Sequence, residues 1–143
     1  MIAIEQFDHL GVRVTDEARA LAFYEVLGFE VLHRAGFDAV TIIKNKQGVE
    51  LNLIVNGTYK TGGKNILMDV PDKHPGYTHI AYRVADMKAT IDAIKRAGIA
   101  ITQGPATFGD GHVSIFVRDP DRNVIELRGR NQGAIEGLTM YEP

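Results

Sequence analysis

The sequence predicts an α+β fold made of two tandem βαβββ modules, and three observations lead there. Residues 7–31 and 77–101 match without a gap. They share His9/His79, Arg13/Arg83, Val14/Val84, Asp16/Asp86 and Gly28/Gly98, always 70 positions apart, the distance from His9 to His79. In each copy the apolar spacing changes from about two to about 3.6 residues, as it must where a strand feeds a helix. Each copy also closes alike, on Val49-Glu50-Leu51 and Ile125-Glu126-Leu127, with Glu50 and Glu126 76 positions apart.

The elements follow in order. Alternation over residues 7–14 sets Phe7, His9, Gly11 and Arg13 on one strand face and Leu10, Val12 and Val14 on the other. Thr15 is positioned to cap the next helix, with Asp16 and Glu17 in its first turn, where the helix dipole favours anions. Ala20, Phe23, Tyr24 and Leu27 form its apolar stripe, and Gly28 stops it. Strands are expected at 29–34, 39–45 and 49–55, the last two joined by the turn Lys46-Gln47-Gly48. The second copy repeats the plan. Tyr77, His79, Ala81 and Arg83 oppose Ile80, Tyr82 and Val84; Thr90, Ala93, Ile94 and Ala97 form the helix stripe; Gly98 ends it. Strands at 99–103, 112–118 and 123–129 complete it, the last two joined by the turn Asp119–Asn123, where Pro120 fixes φ. Module one is therefore about residues 5–56 and module two about 77–130, together one domain over 1–143. The stretch 57–76 reads as a loop long enough to cover a pocket, and the polar tail 131–143 as either disordered or folded over the site.

Composition narrows the function. The formal net charge is −2, with no basic or acidic block, which argues against nucleic acid and anionic membrane as partners. There is no cysteine, so a thiolate metal site is impossible. No apolar run approaches the ~20 residues that cross a bilayer, and the first residues lack the pattern of a signal peptide, so a cytoplasmic protein is expected.

His9, Glu50, His79 and Glu126 are the candidate ligands. Each faces away from the aliphatic side of its strand. A carboxylate mid-strand between aliphatic neighbours is costly to bury unless it is paired or metal-bound. A lone strand histidine or glutamate is ordinarily a solvated polar neighbour, but four residues matched by an internal repeat propose a site with two imidazoles and two carboxylates. The competing reading pairs Arg13 and Arg83 with these carboxylates as salt bridges without metal. Two nitrogen and two oxygen donors suit a five- or six-coordinate divalent ion with open positions for substrate, and Zn, Ni, Co, Mn and Fe all fit. His33, His74 and His112 have no repeat partner and read as surface residues.

The His9 strand, the Phe23-Tyr24…Leu27-Gly28-Phe29 helix end, the His79 strand and the Asp119-Pro120-Asp121…Asn123–Leu127 closure resemble the vicinal oxygen chelate superfamily. That superfamily includes glyoxalase I, extradiol dioxygenases, fosfomycin-resistance thiol transferases and bleomycin-resistance proteins. The resemblance implies two modules whose curved mixed sheets form a cleft, completed in a homodimer. The His/Glu/His/Glu set is most similar to glyoxalase I, the lactoylglutathione lyase, because dioxygenases and fosfomycin transferases usually lack a ligand at the Glu50 position. This implies conversion of a 2-oxoaldehyde hemithioacetal, a small thiol adduct, to a 2-hydroxy thioester through a metal-bound enediolate. Glu126 would be the base, with Glu50 serving the opposite face. Arg13 would bind a substrate carboxylate, and Phe7, Tyr77 and Phe116 would form apolar walls. The alternatives are an Fe(II) extradiol-type dioxygenase, a fosfomycin-type thiol transferase and a non-catalytic drug-binding protein. Two places depart from the glyoxalase I pattern. Ile54 stands where an asparagine follows the first glutamate, with Asn52 and Asn56 on either side. Arg122 stands where glycine is common in the closing turn and is expected to matter little.

Overall fold

The structure, a computed structural model, describes residues 1–141. It divides into two compact units, residues 1–62 and 63–143.

In the first unit, β1 (Leu10–Arg13), α1 (Glu17–Val26), β2 (Glu30–Ala35), β3 (Val40–Lys44) and β4 (Glu50–Ile54) give a sheet of order β1-β4-β3-β2. The β1/β4 pair is parallel and the other two pairs are antiparallel. Asp16, not Thr15, caps α1. Its backbone is extended and its carboxylate accepts from Arg19 N at 2.8 Å, which places the helix start one residue later than the sequence suggests. Ala20, Phe23 and Tyr24 are buried as the stripe requires, with Tyr24 edge-on to both Phe23 and Phe29. Ile43, Leu51 and Leu53 complete the core at no more than 1% exposure, each contributing about 1.5–3 kcal/mol.

In the second unit, β5 (His79–Arg83), α2 (Met87–Arg96), β6 (Gln103–Thr107), β7 (His112–Arg118), β8 (Val124–Arg130) and β9 (Thr139–Met140) give the order β5-β8-β7-β6-β9. Asp86 caps α2 as Asp16 caps α1. The buried stripe of α2 is Met87, Ile91 and Ile94, not Thr90, Ala93 and Ala97; only Ile94 was on the expected face. The repeat carried the first helix's spacing onto the second, but the bulky aliphatic residues turn α2 so that they enter the core. β6 begins at Gln103, where the expected strand over 99–103 ends. Thr139 and Met140 add a parallel strand to β6, and Tyr141 stacks near Phe108 at 4.8 Å. Residues 142–143, the end of the expected tail, lie outside the described residues.

The parallel pairs fix how the two units correspond. Gly11 is opposite Asn52 in the first, and Ala81 is opposite Glu126 in the second. Val14 N donates to Ile54 O, and Val84 N donates to Arg128 O, each at 2.9 Å. The opening strands correspond at 70 positions, but the closing strands correspond at 74, the distance from Asn52 to Glu126. The 76-position match of Glu50 with Glu126 is therefore shifted by two residues in the sheet. A strand repeats every two residues, so a shift of two keeps every side chain on its face and leaves no trace in the alternation.

Candidate functional site

Both glutamates lie on the half-buried face of their strands. In β4, Glu50, Asn52 and Ile54 are half-buried and alternate with buried Leu51 and Leu53. In β8, Glu126 and Arg128 alternate with buried Ile125, Leu127 and Gly129. His79 opens β5, the strand paired to β8, and His9 immediately precedes β1, the strand paired to β4.

In the second unit His79 Nε2 is 3.4 Å from Glu126 Oε2, with Glu126 only 14% exposed. Phe116, opposite Glu126 on β7, packs edge-on to the His79 ring, with the ring centroids 5.6 Å apart. On the other side of the imidazole, Nδ1 is 3.0 Å from Thr78 Oγ1. In the first unit Asp8, His9 and Glu50 bring their ligand atoms within 4.8 Å of one another. His9 Nδ1 bonds to Asp8 Oδ1, and Lys44 Nζ is 4.0 Å from Glu50. Each unit thus brings together the histidine and glutamate expected of it, with the residue before the histidine holding Nδ1. Such an outer partner fixes ring orientation and leaves Nε2 to bind.

Asp8 and Thr78 escaped the sequence reading because adjacent residues point to opposite faces of a regular strand; Asp8 and His9 precede the first residue of β1. Asn52 stands on the same face of β4 as Glu50, between Glu50 and Ile54. Its side-chain oxygen is buried, and no group among the described residues donates to it. Of the expected substrate contacts, Arg13 donates from Nε to Asn56 Oδ1 at 3.1 Å, and Phe116 lies against His79. Phe7 and Tyr77 are largely exposed. His33 and His74 are exposed, and His112 is half-buried with Nδ1 3.2 Å from Asp110 O. Tyr82 stands on the opposite face of β5 from His79, and burial pushes its hydroxyl pKa well above the usual phenol range. A cavity of about 540 Å³ lies between α2 and the tail, near Lys88, Asp92 and Ile135, and includes none of the expected site residues.

In each unit an imidazole with one or two carboxylates is a nitrogen–oxygen donor set of the kind divalent ions take, and the short separations within each unit suit such an ion. The site residues therefore fit a metal.

Two βαβββ units in tandem, each with an imidazole–carboxylate pair, define the class of protein. The chain belongs to the glyoxalase/bleomycin resistance protein/dioxygenase superfamily, whose family model matches residues 6–127. It is similar to a probable lactoylglutathione lyase of Vibrio parahaemolyticus, 32% identical over 136 residues, covering 91% of this chain and 94% of the relative. It is also 32% identical over 132 residues to a virulence protein of Salmonella typhimurium, covering 87% and 83% respectively. Among solved structures, an antibiotic binding protein from Streptomyces shares the fold at a TM-score of 0.66 and 24% identity, covering 91% of this chain and 99% of that one. No helix among the described residues is long and apolar enough to cross a membrane.

Proposed function

We propose that the protein is a metal-dependent lyase of the glyoxalase I kind, converting the hemithioacetal of a 2-oxoaldehyde to a 2-hydroxy thioester. The observation that carries this reading is the imidazole–carboxylate pair in each unit: His79 with Glu126 at 3.4 Å, and His9 with Glu50 inside the 4.8 Å cluster. His9, Glu50, His79 and Glu126 are the proposed ligands of one divalent ion, supplied by one chain or by two copies. The relatives named as probable lactoylglutathione lyases support the same chemistry. The reading carries with it a single functional domain and a cytoplasmic homodimer acting on a small molecule.

When bound, a divalent ion acts as a Lewis acid and acidifies the C–H beside a carbonyl. Glu126 takes the proton from the carbon bearing sulfur and hydroxyl and returns it to the neighbouring carbonyl carbon; the hydroxyl proton of the first carbon passes to the neighbouring oxygen, so the first carbon becomes the thioester carbonyl and the second carries the new hydroxyl. Half-burial among Ala81, Phe116 and the His79 ring limits the water around that carboxylate and keeps the proton in place. Glu50 presents the second carboxylate. Thr78 and Asp8 keep the two imidazoles oriented. Arg13, steadied by Asn56, offers a guanidinium for a substrate carboxylate. Phe7, Tyr77 and Phe116 form the apolar walls.

The test joins metal analysis to a substrate panel of methylglyoxal with glutathione, catechols with Fe(II), and fosfomycin with a thiol. Thioester formation that disappears in Glu126→Gln supports the reading. Product from a catechol alone, or unchanged metal content and turnover in both Glu50→Gln and Glu126→Gln, sinks it.

A further inference from the structure

We propose that Asn52 is a substrate-positioning residue, its carboxamide oxygen taking a hydrogen bond from the hydroxyl of a ligand that presents two vicinal oxygens. The proposal deepens the lyase reading and rests on the same site.

Three observations lead to it. First, Asn52 holds in the first sheet the place that Glu126 holds in the second. Asn52 lies between Gly11 on β1 and Ile42 on β3; Glu126 lies between Ala81 on β5 and Phe116 on β7. Glu50 is one pleat step away, opposite Lys44. Second, Asn52 Oδ1 is buried and no group among the described residues donates to it. Buried polar atoms are nearly always satisfied, and leaving one without a donor costs about 1–3 kcal/mol. An aliphatic side chain would avoid that cost, as Ile54 does one step further along the same face. Sites where local stability is given up are where function is expected. Third, the neighbour is Gly11, where an added Cβ would meet nothing within 4 Å. That leaves open space beside the carboxamide. The residue as a whole is half-buried, so part of its side chain is reachable from solvent, and its terminal torsion is soft enough to turn toward a ligand.

The chemistry selects the ligand. An amide oxygen is a neutral acceptor and cannot serve as a base at ordinary pH. It matches a donor, and a hemithioacetal or an enediol offers one beside the oxygen that a Lewis acid would hold. The repeat thus places a carboxylate that moves a proton in one unit and an amide that orients a hydroxyl in the other.

The experiment uses the full chain loaded with a divalent ion, and acetohydroxamate as the probe, because it presents a carbonyl oxygen next to an N–OH. Asn52→Leu should keep its metal content, melt at or above the wild-type temperature, and bind the probe about 10–100-fold more weakly. Asn52→Asp, which keeps an acceptor oxygen, should bind within about threefold of wild type. In labelled wild-type protein the Asn52 side-chain amide resonances should shift on adding the probe. Equal affinity in Asn52→Leu, or amide resonances that ignore the probe, would mean that an ordered water alone satisfies the oxygen, and would overturn the proposal. A lower melting temperature with unchanged affinity would make Asn52 structural and would overturn it too. The two readings fail separately. Loss of probe binding in Asn52→Leu from a protein that turns over no hemithioacetal supports the contact and sinks the lyase; hemithioacetal turnover with undiminished probe binding in Asn52→Leu does the reverse.

Discussion

Arg122 grips Asp69 with two hydrogen bonds, Nε to Oδ2 at 2.6 Å and Nη2 to Oδ1 at 3.0 Å. Arg118 Nη1 lies 3.2 Å from the same carboxylate. Asn65 N also donates to it, and Asn65 Nδ2 reaches back to the Arg122 carbonyl at 3.1 Å. The loop before β5 is thereby tied to the turn before β8, so Arg122 matters more than expected of a residue standing where glycine is common. Its backbone sits at φ +64°, where glycine is at ease, and the side chain compensates by making the clamp.

The clamp should be visible in acid. The Arg122 guanidinium, aided by the Asn65 backbone and Arg118, holds the Asp69 carboxyl well below the usual carboxylate range. A carboxyl depressed in the folded state stabilises at pH values above its unfolded pKa of about 3.9, and that stability is lost as pH falls through the lower folded value. Asp69→Asn should cost about 1–2 kcal/mol at pH 7. The gap from wild type should narrow steadily below about pH 4. Thermal melts of both proteins across pH 2–7 are the measurement (about that range suffices). Arg122→Ala should melt lower than Arg122→Gly, because alanine loses the clamp and keeps the strained backbone.

The fold was largely legible because the repeat and the strand alternation come from which residues can face a core. What was hidden depends on chain-to-chain register. Asn52 and Glu50 share a face, so only the hydrogen-bonded pairing of Gly11 with Asn52 shows which of them stands where Glu126 stands. The turned stripe of α2 was hidden for a related reason: Met87 has only Glu17 as its counterpart, and Ile91 corresponds to Leu21, which lies outside the stripe of Ala20, Phe23, Tyr24 and Leu27 in the first helix. The His79–Glu126 and His9–Glu50 pairs were legible, since a charged or ligating residue on a sheet face repeats as plainly as an apolar one.

The metal reading predicts unequal consequences for first and outer contacts. His79→Ala removes a ligand and should abolish stoichiometric metal at micromolar concentrations. Thr78→Val removes only the Nδ1 contact and should weaken metal affinity about 10-fold, the lower end for outer-shell partners. Asp8→Leu, which removes a charged partner of His9, should cost more, up to about 100-fold. Competition with a calibrated chelator measures all three. A chelator should also lower the melting temperature of the wild type in proportion to the bound metal.

Glu17 and Thr41 tie α1 to the first sheet. Arg34 Nε donates to Glu17 Oε1 at 2.8 Å, and the Thr41 hydroxyl donates to the same oxygen at 2.9 Å. These bonds, Arg34 first, lower the Glu17 pKa. Thr41 is 2% exposed. Replacing it by valine keeps the shape but strands part of the carboxylate, at about 1–2 kcal/mol. By the same sign as Asp69, Glu17 stabilises above its unfolded pKa of about 4.3 and loses that contribution as pH falls. Denaturant titration of Thr41→Val at pH 7 and pH 3.5 (about those values) should show the larger deficit at neutral pH.

Gly104 sets the tightest steric limit in the second sheet. Its φ of +88° already disfavours any side chain. A Cβ there would also come within 2.5 Å of the Ser114 carbonyl oxygen and 3.3 Å of Ile115 Cα. Both obstacles are backbone atoms of β7, and their neighbours Val113, Ile115 and Val117 are fully buried, so the strand cannot give way without disturbing the core. Gly104→Ala should therefore destabilise by about 3 kcal/mol or more. Gly111→Ala, with positive φ of +82° but nothing within 4 Å of the new atom, should cost only the conformational part, about 1–2 kcal/mol. The difference between the two variants in urea unfolding isolates the clash with Ser114 from the strain of the backbone.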